Sequence, residues 1–547
     1  MKAAIILQGG KIFCGLNEGF VEAVAVANGK ILAVGASEDI NHLRGPQTET
    51  IELDGRVAVP GLNDAHMHLL PLGLAMQSIN LRPESGVGSI AEILRRVAAA
   101  AATKKPGDWI VGRGYDHNEL TERRHPTAEE LDHVSPDNPV FVGRTCGHVG
   151  VASTQALRKA GIEQDTPNPS GGLIEKRAGK LTGLVAENAM TMITSAMPSP
   201  GKATLMSAIE RAGKFMLSQG FTSVMDAAVG MRAGLVEVDA YEELARAGRL
   251  PLRVWVCLYG NAGGIGDAAH AKGFCFGREV GLLRYGAMKV FADGSAGSLT
   301  AAMSRPYRAG ASENRGIFIY SDEQMHWRLE HFHRLGYQLA IHAIGDAAIE
   351  QVLSGMEKLD TLDNPVRERR HRIEHCGWLT DDQLGRMAKV GIDPVPQPIF
   401  IYEFGELYVT NLGQEAADSS YPMQKWLKAG LHPAASSDAP VCTTDPFKNL
   451  FTMVTRMTKR HHVTGGAERL TLEEAVHAYT ALGAYTQFAE NEIGRLAPGL
   501  AADIAILSHD IFSMPIERVE TDVRCDMTLL AGQIVFDRAG RLAAAAE

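Results

Sequence analysis

The chain has 547 residues, of which 45% are hydrophobic and 22% charged, as expected for a soluble globular protein with more than one domain. Its formal net charge is −10 and no run of Lys and Arg forms a basic stripe, which argues against nucleic acid and membrane surfaces as partners. Seven scattered cysteines without a CxxC pair, together with the lack of a signal-peptide pattern or a long apolar run, favour a cytoplasmic location.

The two ends of the chain are predicted to fold together. Short strands separated by glycine-containing turns fill residues 1–57, and the Asn28-Gly29 step between apolar residues is a strong hairpin signal. Residues 488–547 show a similar pattern of short apolar strands. Because neither fragment can form a good core alone, we predict one small composite β-sandwich domain from residues 1–57 and 488–547.

The central region alternates between strands and amphipathic helices. Such alternation predicts an α/β fold, and eight β/α units predict a (β/α)8 TIM barrel over residues 58–72 and 201–487. Thr471 and Glu474 fit a capping box that opens a helix after the last strand. The eight predicted barrel strands are residues 57–64, 222–226, 252–258, 287–291, 338–342, 371–375, 391–396 and 432–437.

Residues 73–200 are too many for one loop between a strand and a helix. They contain their own predicted elements, including a helix over residues 89–102 and a strand over residues 140–144. We therefore predict an inserted subdomain that follows barrel strand one and covers the barrel mouth.

Residues able to bind a metal stand at the ends of several predicted strands, where barrel enzymes place their active sites. His66 and His68 end strand one, and because side chains alternate along a strand they point the same way. Two imidazoles on one face form half of a transition-metal site. A single histidine at a strand end is more often a core residue, but chance is a poor explanation of the whole set, which continues with Lys289, His342, His375 and Asp438.

Lys289 lies within an apolar strand and therefore needs an explanation. Burying an ammonium group without a partner costs several kcal/mol. One interpretation is an ion pair with Asp293 or Asp226. The other is carbamylation by CO2, which would convert the amine into an anionic carboxylate able to bridge two cations.

These motifs resemble those of the amidohydrolase superfamily of metal-dependent hydrolases. Within it, the chain is similar to amidohydrolase family 3, the branch that includes N-substituted formamide deformylases and YtcJ-like proteins. The resemblance covers nearly the whole chain and is specific for the fold and the metal site rather than for the substrate. The motifs that carry it are residues 60–68 (PGLNDAHMH), 289–295 (KVFADGS), 342–346 (HAIGD), 372–375 (RIEH) and 437–440 (SDAP).

The resemblance implies a binuclear metal centre. One cation would be held by His66, His68 and Asp438, and a second by His342 and His375. Carbamylated Lys289 would join the two cations. Zinc is the expected metal, although the same ligands accept manganese, iron or cobalt. Asp438 would be the catalytic group that takes a proton from the metal-activated water and passes it to the leaving amine.

Four further residues are candidates with open alternatives. His148, within the predicted insertion, is either a catalytic donor to the substrate carbonyl or a structural loop histidine. Asp116 is a candidate for substrate binding in the pocket. Arg372 and Glu374 flank His375 and are compatible both with substrate contact and with orienting the metal ligands.

The leading prediction is hydrolysis of an amide-type C–N bond in a small molecule, with N-substituted formamide deformylation as the named activity. A deaminase or a cyclic amidase of the same superfamily is the nearest alternative, although many such deaminases lack the bridging lysine. From another class, the chain could be a catalytically silent regulatory or binding protein, against which the complete ligand set argues. A homodimer is the default expectation for assembly.

Overall fold

A computed structural model describes residues 1–144, 149–169, 172–310, 312–361 and 363–540. The chain divides into two units, one formed by Met1–Leu72 with Leu205–Glu547 and the other by Gly73–Thr204. Among the helices of these described ranges, none has both the length and the apolar character needed to cross a bilayer.

The strands of both units are numbered in chain order. They are β1 (Ile5–Gln8), β2 (Lys11–Gly15), β3 (Gly19–Val21), β4 (Ala23–Ala27), β5 (Lys30–Gly35), β6 (Glu49–Glu52), β7 (Val57–Pro60), β8 (Leu62–Met67), β9 (Ile79–Asn80), β10 (Ile110–Tyr115), β11 (Val140–Arg144), β12 (Val149–Ala152), β13 (Gly172–Arg177), β14 (Lys180–Glu187), β15 (Phe221–Val229), β16 (Arg253–Tyr259), β17 (Glu279–Val280), β18 (Leu283–Phe291), β19 (Gln338–Ala343), β20 (Arg372–His375), β21 (Asp393–Val395), β22 (Ile504–Leu507), β23 (Cys525–Leu530) and β24 (Gln533–Asp537).

The α-helices are numbered in the same way. They are α1 (Ser37–Asn41), α2 (Leu69–Ala75), α3 (Ile90–Ala101), α4 (Ala128–Val134), α5 (Thr154–Lys159), α6 (Asn188–Ala196), α7 (Lys202–Leu217), α8 (Leu235–Arg246), α9 (Gly266–Ala271), α10 (Asp322–Arg334), α11 (Asp346–Leu359), α12 (Asp381–Val390), α13 (Ile399–Leu412), α14 (Gln414–Asp418), α15 (Met423–Lys428), α16 (Pro446–Thr455), α17 (Leu472–Ala478), α18 (Ala481–Thr486) and α19 (Ile516–Asp522).

Polar residues at the helix starts explain where several helices begin. The predicted capping box at α17 is confirmed: the Thr471 side chain accepts from the Glu474 backbone N–H, and the Glu474 side chain accepts from the backbone N–H of Thr471. The same reciprocal pattern opens α4, α10 and α12. Each box satisfies N–H groups that a helix start otherwise leaves without partners.

The predicted parallel barrel is confirmed as a nearly closed sheet. Seven parallel strands lie in the order β21-β20-β19-β18-β16-β15-β8, and β17 pairs with β18 outside this path. Buried residues of consecutive strands share one cluster, which includes Met225, Trp255, Cys257 and Ala340. The register aligns Phe291 with His342 and Ala343 with His375, so the ends of neighbouring strands lie at similar heights.

The eighth predicted strand is wrong as a regular strand. Residues 432–437 run beside β8, where the Ala65 N–H donates to the Ala435 carbonyl, but they have no strand assignment. Toward the segment after β21, a side-chain hydrogen bond takes the place of backbone strand pairing: the Ser436 hydroxyl donates to the Pro396 carbonyl. Proline at positions 394, 396 and 433 removes backbone donors, which explains the irregular closure.

The first predicted barrel strand is two strands in the structure. β7 ends at Pro60 and belongs to a terminal sheet, whereas β8 starts at Leu62 and belongs to the barrel. Gly61 separates them at a close approach, since a Cβ atom there would lie 2.3 Å from the Thr222 hydroxyl oxygen. The chain thus passes from one sheet to the next over a single residue.

Strands from both ends of the chain form two further sheets. One has the order β5-β4-β1-β6 and the other β24-β23-β22-β7-β2-β3, in which β22 from the C-terminal part pairs antiparallel with β7. Residues from both ends, such as Ile12, Val24, Ile504 and Leu529, share one buried cluster. The hydrophobic core between these strands therefore depends on segments almost 500 residues apart in sequence.

The second unit, Gly73–Thr204, has its own sheet with the order β13-β14-β12-β11-β10-β9. Its core contains two clusters, one around Ile93, Val97 and Val142 and one around Phe141 and Ile193. The predicted helix and strand in this part correspond to α3 and β11. Its role as a cover of the barrel mouth stays a prediction.

Candidate metal centre

His66, His68 and Asp438 converge at the end of the barrel sheet. One potential ligand atom from each side chain lies within 4.8 Å of the others. Asp438 Oδ1 is 3.1 Å from His68 Nε2 and 3.5 Å from His66 Nε2. Backbone bonds fix this arrangement, because the Asp438 N–H donates to the His66 carbonyl at 2.8 Å.

The Asp64 carboxylate holds the backbone next to Asp438 in place through Ser437. It accepts hydrogen bonds from the Ser437 backbone N–H at 3.1 Å and from the Ser437 hydroxyl at 2.6 Å. Asp64 is fully buried, and burial raises the pKa of its carboxyl to about 7. Residues 64, 66 and 68 alternate along one strand, so the periodicity that grouped the histidines also places Asp64 on their face.

The hydrogen bonds at Nδ1 of His66 and of His68 identify which nitrogen of each ring keeps a lone pair for a cation. His66 Nδ1 contacts Glu374 Oε2, and His68 Nδ1 lies 2.8 Å from the Ala227 carbonyl oxygen. Carboxylate and carbonyl oxygens only accept hydrogen bonds, so both Nδ1 atoms must donate. The Nε2 atoms of both rings are therefore the ones that face Asp438.

Electrostatics around Asp438 favour a negative charge despite its burial. Burial alone would raise the pKa of the Asp438 carboxyl, but its contact with His68 lowers the pKa below its ordinary value. Burial lowers the pKa of the His66 ring well below 6.5, which keeps that ring neutral. An ionised carboxylate thus faces a neutral imidazole lone pair, an arrangement that a cation would stabilise.

His342 and His375 form a second pair beside the first group. Their ring centroids are 4.4 Å apart, and the His375 and His66 centroids are 5.0 Å apart. His375 Nδ1 donates to the Gln397 side-chain oxygen, and His342 Nε2 donates to the Gly294 carbonyl at 2.9 Å. In the neutral rings, the lone pairs of this pair are therefore at Nε2 of His375 and Nδ1 of His342.

Lys289 is buried in the barrel interior with 1% of its surface exposed. Its Nζ atom has no hydrogen bond or ion pair within the described part of the chain and lies 4.8 Å from the centre of the Phe291 ring. The ion-pair interpretation is not observed, because Asp293 accepts from backbone N–H groups and Asp226 accepts from Tyr241 and Leu70. Burial lowers the pKa of the Lys289 amine, which favours its neutral form.

The backbone at the ends of the strands adopts an uncommon conformation. His375, Cys376 and Asp438 have φ values of +69°, +51° and +55°, in the left-handed region that favours glycine. Such strained residues cluster at functional sites, where the surrounding structure holds them in place. Two of the three carry potential metal ligands, so the strain directs side chains into the same space.

Three buried polar atoms at this site test whether its residues fit a metal. His66 Nε2, Lys289 Nζ and Asp438 Oδ1 are among the buried atoms of the described residues that form no hydrogen bond, although Asp438 Oδ1 lies 3.1 Å from His68 Nε2. Buried polar atoms are almost always satisfied, and each exception needs a reason. Imidazole nitrogens and carboxylate oxygens are ligands for divalent transition metals, so the residues present fit a metal.

The remaining predicted site residues have different surroundings. Asp116 lies in the unit Gly73–Thr204, where it forms an ion pair with Arg144 at 2.9 Å. Arg372 and Glu374 are fully buried in the barrel. His148 lies outside the described residues. Gln397 was not predicted, and its signal was a polar residue two positions after the end of β21.

Comparison with known proteins gives matches along nearly the whole chain. The sequence profile of the amidohydrolase family matches residues 49–536. YtcJ of Bacillus subtilis (strain 168), named for an unproven amidohydrolase activity, is 31% identical over 98% of this chain and 100% of its own length. The N-substituted formamide deformylase of Arthrobacter pascens is 30% identical over 89% of this chain and 90% of its own length.

A solved structure with a similar fold is also known. It is an uncharacterised metal-dependent hydrolase from Pyrococcus horikoshii OT3, with a TM-score of 0.77 and 28% sequence identity. The match covers 94% of this chain and 99% of that protein. The similarity therefore extends over nearly the full length of both chains.

Proposed function

Because the chain belongs to the amidohydrolase family and is a metal-dependent hydrolase of C–N bonds, we propose that it cleaves an amide-type bond in a small N-acylated amine. An N-substituted formamide is the substrate class we propose first, since a relative at 30% identity is named for that activity. The observation that carries the proposal is the convergence of His66, His68 and Asp438, with potential ligand atoms within 4.8 Å of one another.

The side chains divide into two sets of ligands. We propose that His66, His68 and Asp438 hold one divalent cation and that His342 and His375 hold a second, with zinc as the metal. When bound, the cations lower the pKa of a water molecule and polarise the scissile carbonyl. The orphaned His66 Nε2 and Asp438 Oδ1 atoms support the first set, and the 4.4 Å separation of the His342 and His375 rings supports the second.

Lys289 would link the two sets as a carbamate. Its neutral amine attacks the carbon of CO2 and loses a proton, which gives an N-carboxylate with two oxygens. This change supports the proposal in two ways: it converts a buried amine without a partner into a metal ligand, and it supplies the negative charge that two cations need. The buried, unpartnered Nζ atom is the observation behind it.

Asp438 would move the proton during hydrolysis. Its carboxylate has a lowered pKa and an oxygen without a hydrogen bond, so it is able to accept the proton of the attacking water. The same carboxyl would then protonate the amine as the C–N bond breaks. For a formamide, the products would be formate and the free amine, with one water consumed.

The other functions predicted for this chain make different demands. A deaminase would release ammonia, and a cyclic amidase would open a ring without losing a fragment. A silent binding protein would not need His66, His68 and Asp438 to converge with potential ligand atoms within 4.8 Å of one another. No specific observation favours any of these alternatives over acyl-amine hydrolysis.

The test is a substrate screen on protein with defined metal content. Zinc-loaded protein is expected to contain about two zinc ions per chain and to convert N-alkyl formamides into formate and amine. N-acetyl analogues, ureas and cyclic imides form the comparison set, and chelator-treated protein is the control. Ammonia release without formate would favour a deaminase, and protein that binds no metal would contradict the proposal.

A further inference from the structure

Arg372 and Glu374 form an ion pair on β20 beneath the metal ligands. Both side chains are fully buried, with 0% exposure. Arg372 donates through Nε to Glu374 Oε1 and through Nη2 to Glu374 Oε2, the latter at 3.0 Å. Arg372 Nη2 also donates to the Ala65 carbonyl at 2.6 Å, which ties the pair to β8 beside His66.

The pair connects directly to His66. Glu374 Oε2 accepts the Nδ1 proton of the His66 ring, which leaves the lone pair at Nε2 facing Asp438. Neither Arg372 nor Glu374 has exposed surface, and the hydrogen bonds that link the pair to the site reach His66 and the β8 backbone. The charge of Glu374 also acts on Lys289 and His375.

Nδ1 donates a hydrogen bond in His66, His68 and His375, but the three acceptors differ in chemical type. His68 donates to the backbone carbonyl of Ala227, and His375 donates to the neutral amide of Gln397. Only His66, among these three, donates to a carboxylate. In the other set, His342 donates through Nε2 to the Gly294 carbonyl at 2.9 Å, with Asp293 Oδ1 farther away at 3.3 Å. A carboxylate acceptor fixes the tautomer of an imidazole and also raises the basicity of its other nitrogen, which strengthens that nitrogen as a metal ligand.

We propose that the Arg372–Glu374 ion pair is a positioning device that fixes the His66 proton on Nδ1 and makes the set containing His66 the tighter of the two cation sites. This inference rests on the proposed function, since it assigns an order of affinity to the proposed ligands. Arg372 orients the Glu374 carboxylate and balances its charge, and Glu374 orients the ring.

Three variants test the proposal. In Glu374→Gln the side-chain oxygen still accepts the Nδ1 proton, so the support of His66 becomes chemically like that of His375. In the double variant Arg372→Met/Glu374→Leu the acceptor is lost and no unpaired charge remains in the core, which protects folding. The matched control is Glu490→Gln, which removes a similar Arg–carboxylate pair, that of Arg370 and Glu490 at 2.7 Å, without contact to a histidine of the site.

The first measurement is the His66 tautomer in metal-free protein, by NMR of 15N-labelled histidine with His66→Gln to assign the signal. Wild type and Glu374→Gln are expected to show the proton on Nδ1, and the double variant is expected to lose this preference. The second measurement is zinc affinity by competition with a chromophoric chelator. The tighter site should weaken about 10–100-fold in the double variant, less in Glu374→Gln, and not in Glu490→Gln.

The two measurements separate this inference from the proposed function. Wild-type protein that binds no zinc would contradict the proposed function, and the tautomer result alone would then decide the role of Glu374. A His66 proton on Nε2 in wild type would overturn the inference. Unchanged zinc affinity in the double variant, with zinc bound normally by wild type, would also overturn it.

Discussion

His333 and His371 are joined by a buried hydrogen bond, with 2.8 Å between His333 Nδ1 and His371 Nε2. The Leu339 N–H donates to His371 Nδ1 at 2.9 Å, so the His371 proton must be on Nε2. His333 in turn donates through Nε2 to the Asn364 carbonyl at 3.2 Å. This chain of bonds requires both rings to be neutral.

Because both rings are buried and neutral, the His333–His371 pair is expected to make the protein less stable in mild acid. Burial lowers the pKa of His371 well below 6.5 and lowers the pKa of His333 as well. Below pH 6.5 the unfolded chain therefore binds protons that the folded chain does not, so the free energy of unfolding falls as the pH falls. The slope is up to about 1.4 kcal/mol per pH unit for each histidine, measured by urea denaturation of metal-free protein.

His333→Gln isolates this contribution. The glutamine oxygen is able to accept the His371 proton, so one titrating group is removed while the hydrogen bond is kept. The variant should have a shallower acid slope than wild type. His331→Gln is the matched control, because His331 lies on the same helix with 30% of its side chain exposed. Equal slopes for wild type and His333→Gln would contradict a neutral buried pair.

Gln397 is expected to support only the second cation site, that of His342 and His375. It is fully buried, and its side-chain oxygen accepts the Nδ1 proton of His375. Gln397→Leu removes this acceptor, so the weaker of the two zinc-binding steps should lose about 10–100-fold in affinity while the tighter step is kept. Gln397→Glu, which restores an acceptor with a charge, is the comparison in the same stepwise titration. Equal weakening of both steps would show that Gln397 supports the whole site.

Asp438 is expected to be required for turnover beyond its part in metal binding. Asp438→Asn keeps an oxygen ligand but is unable to accept a proton, so kcat should fall by about 10²–10⁴. Metal content is measured in the same sample by elemental analysis, so that loss of the cation is distinguished from loss of proton transfer. A variant with bound zinc and wild-type kcat would refute the proton-transfer role of Asp438.

Much of the barrel, and the residues that meet at the ends of its strands, could be predicted because the relevant signals are local. The alternation of His66 and His68 depends only on the period of a strand, and Lys289 is conspicuous because an ammonium is costly in an apolar strand. The rule that active sites lie at the ends of barrel strands then links residues far apart in sequence. Local chemistry and one topological rule were enough to group these residues.

The features of the structure that could not be predicted depend on contacts between residues far apart in sequence. Glu374 reaches His66 across 308 positions of sequence, and no motif shows which nitrogen of the ring it takes. The positive φ values of His375 and Asp438 are not indicated by the sequence, because most His and Asp residues have negative φ. His333 is compatible with a surface position on an amphipathic helix, yet it is buried against His371. Tertiary structure determined each of these features.

In Lys289→Met, stability and metal binding are expected to change in opposite directions. Lys289 Nζ is buried without a partner in the described ranges, so a methionine of similar length should stabilise the metal-free protein by about 1–3 kcal/mol in urea denaturation. If the lysine is carbamylated when metal is bound, the same variant loses a bridging ligand, and its zinc content should fall from about two ions to about one. A lysine that stays cationic would repel the metals instead, so its removal would tighten zinc binding. Loading wild-type protein with zinc in CO2-depleted buffer is the matching test: it should lower the zinc content of wild type and leave that of Lys289→Met unchanged.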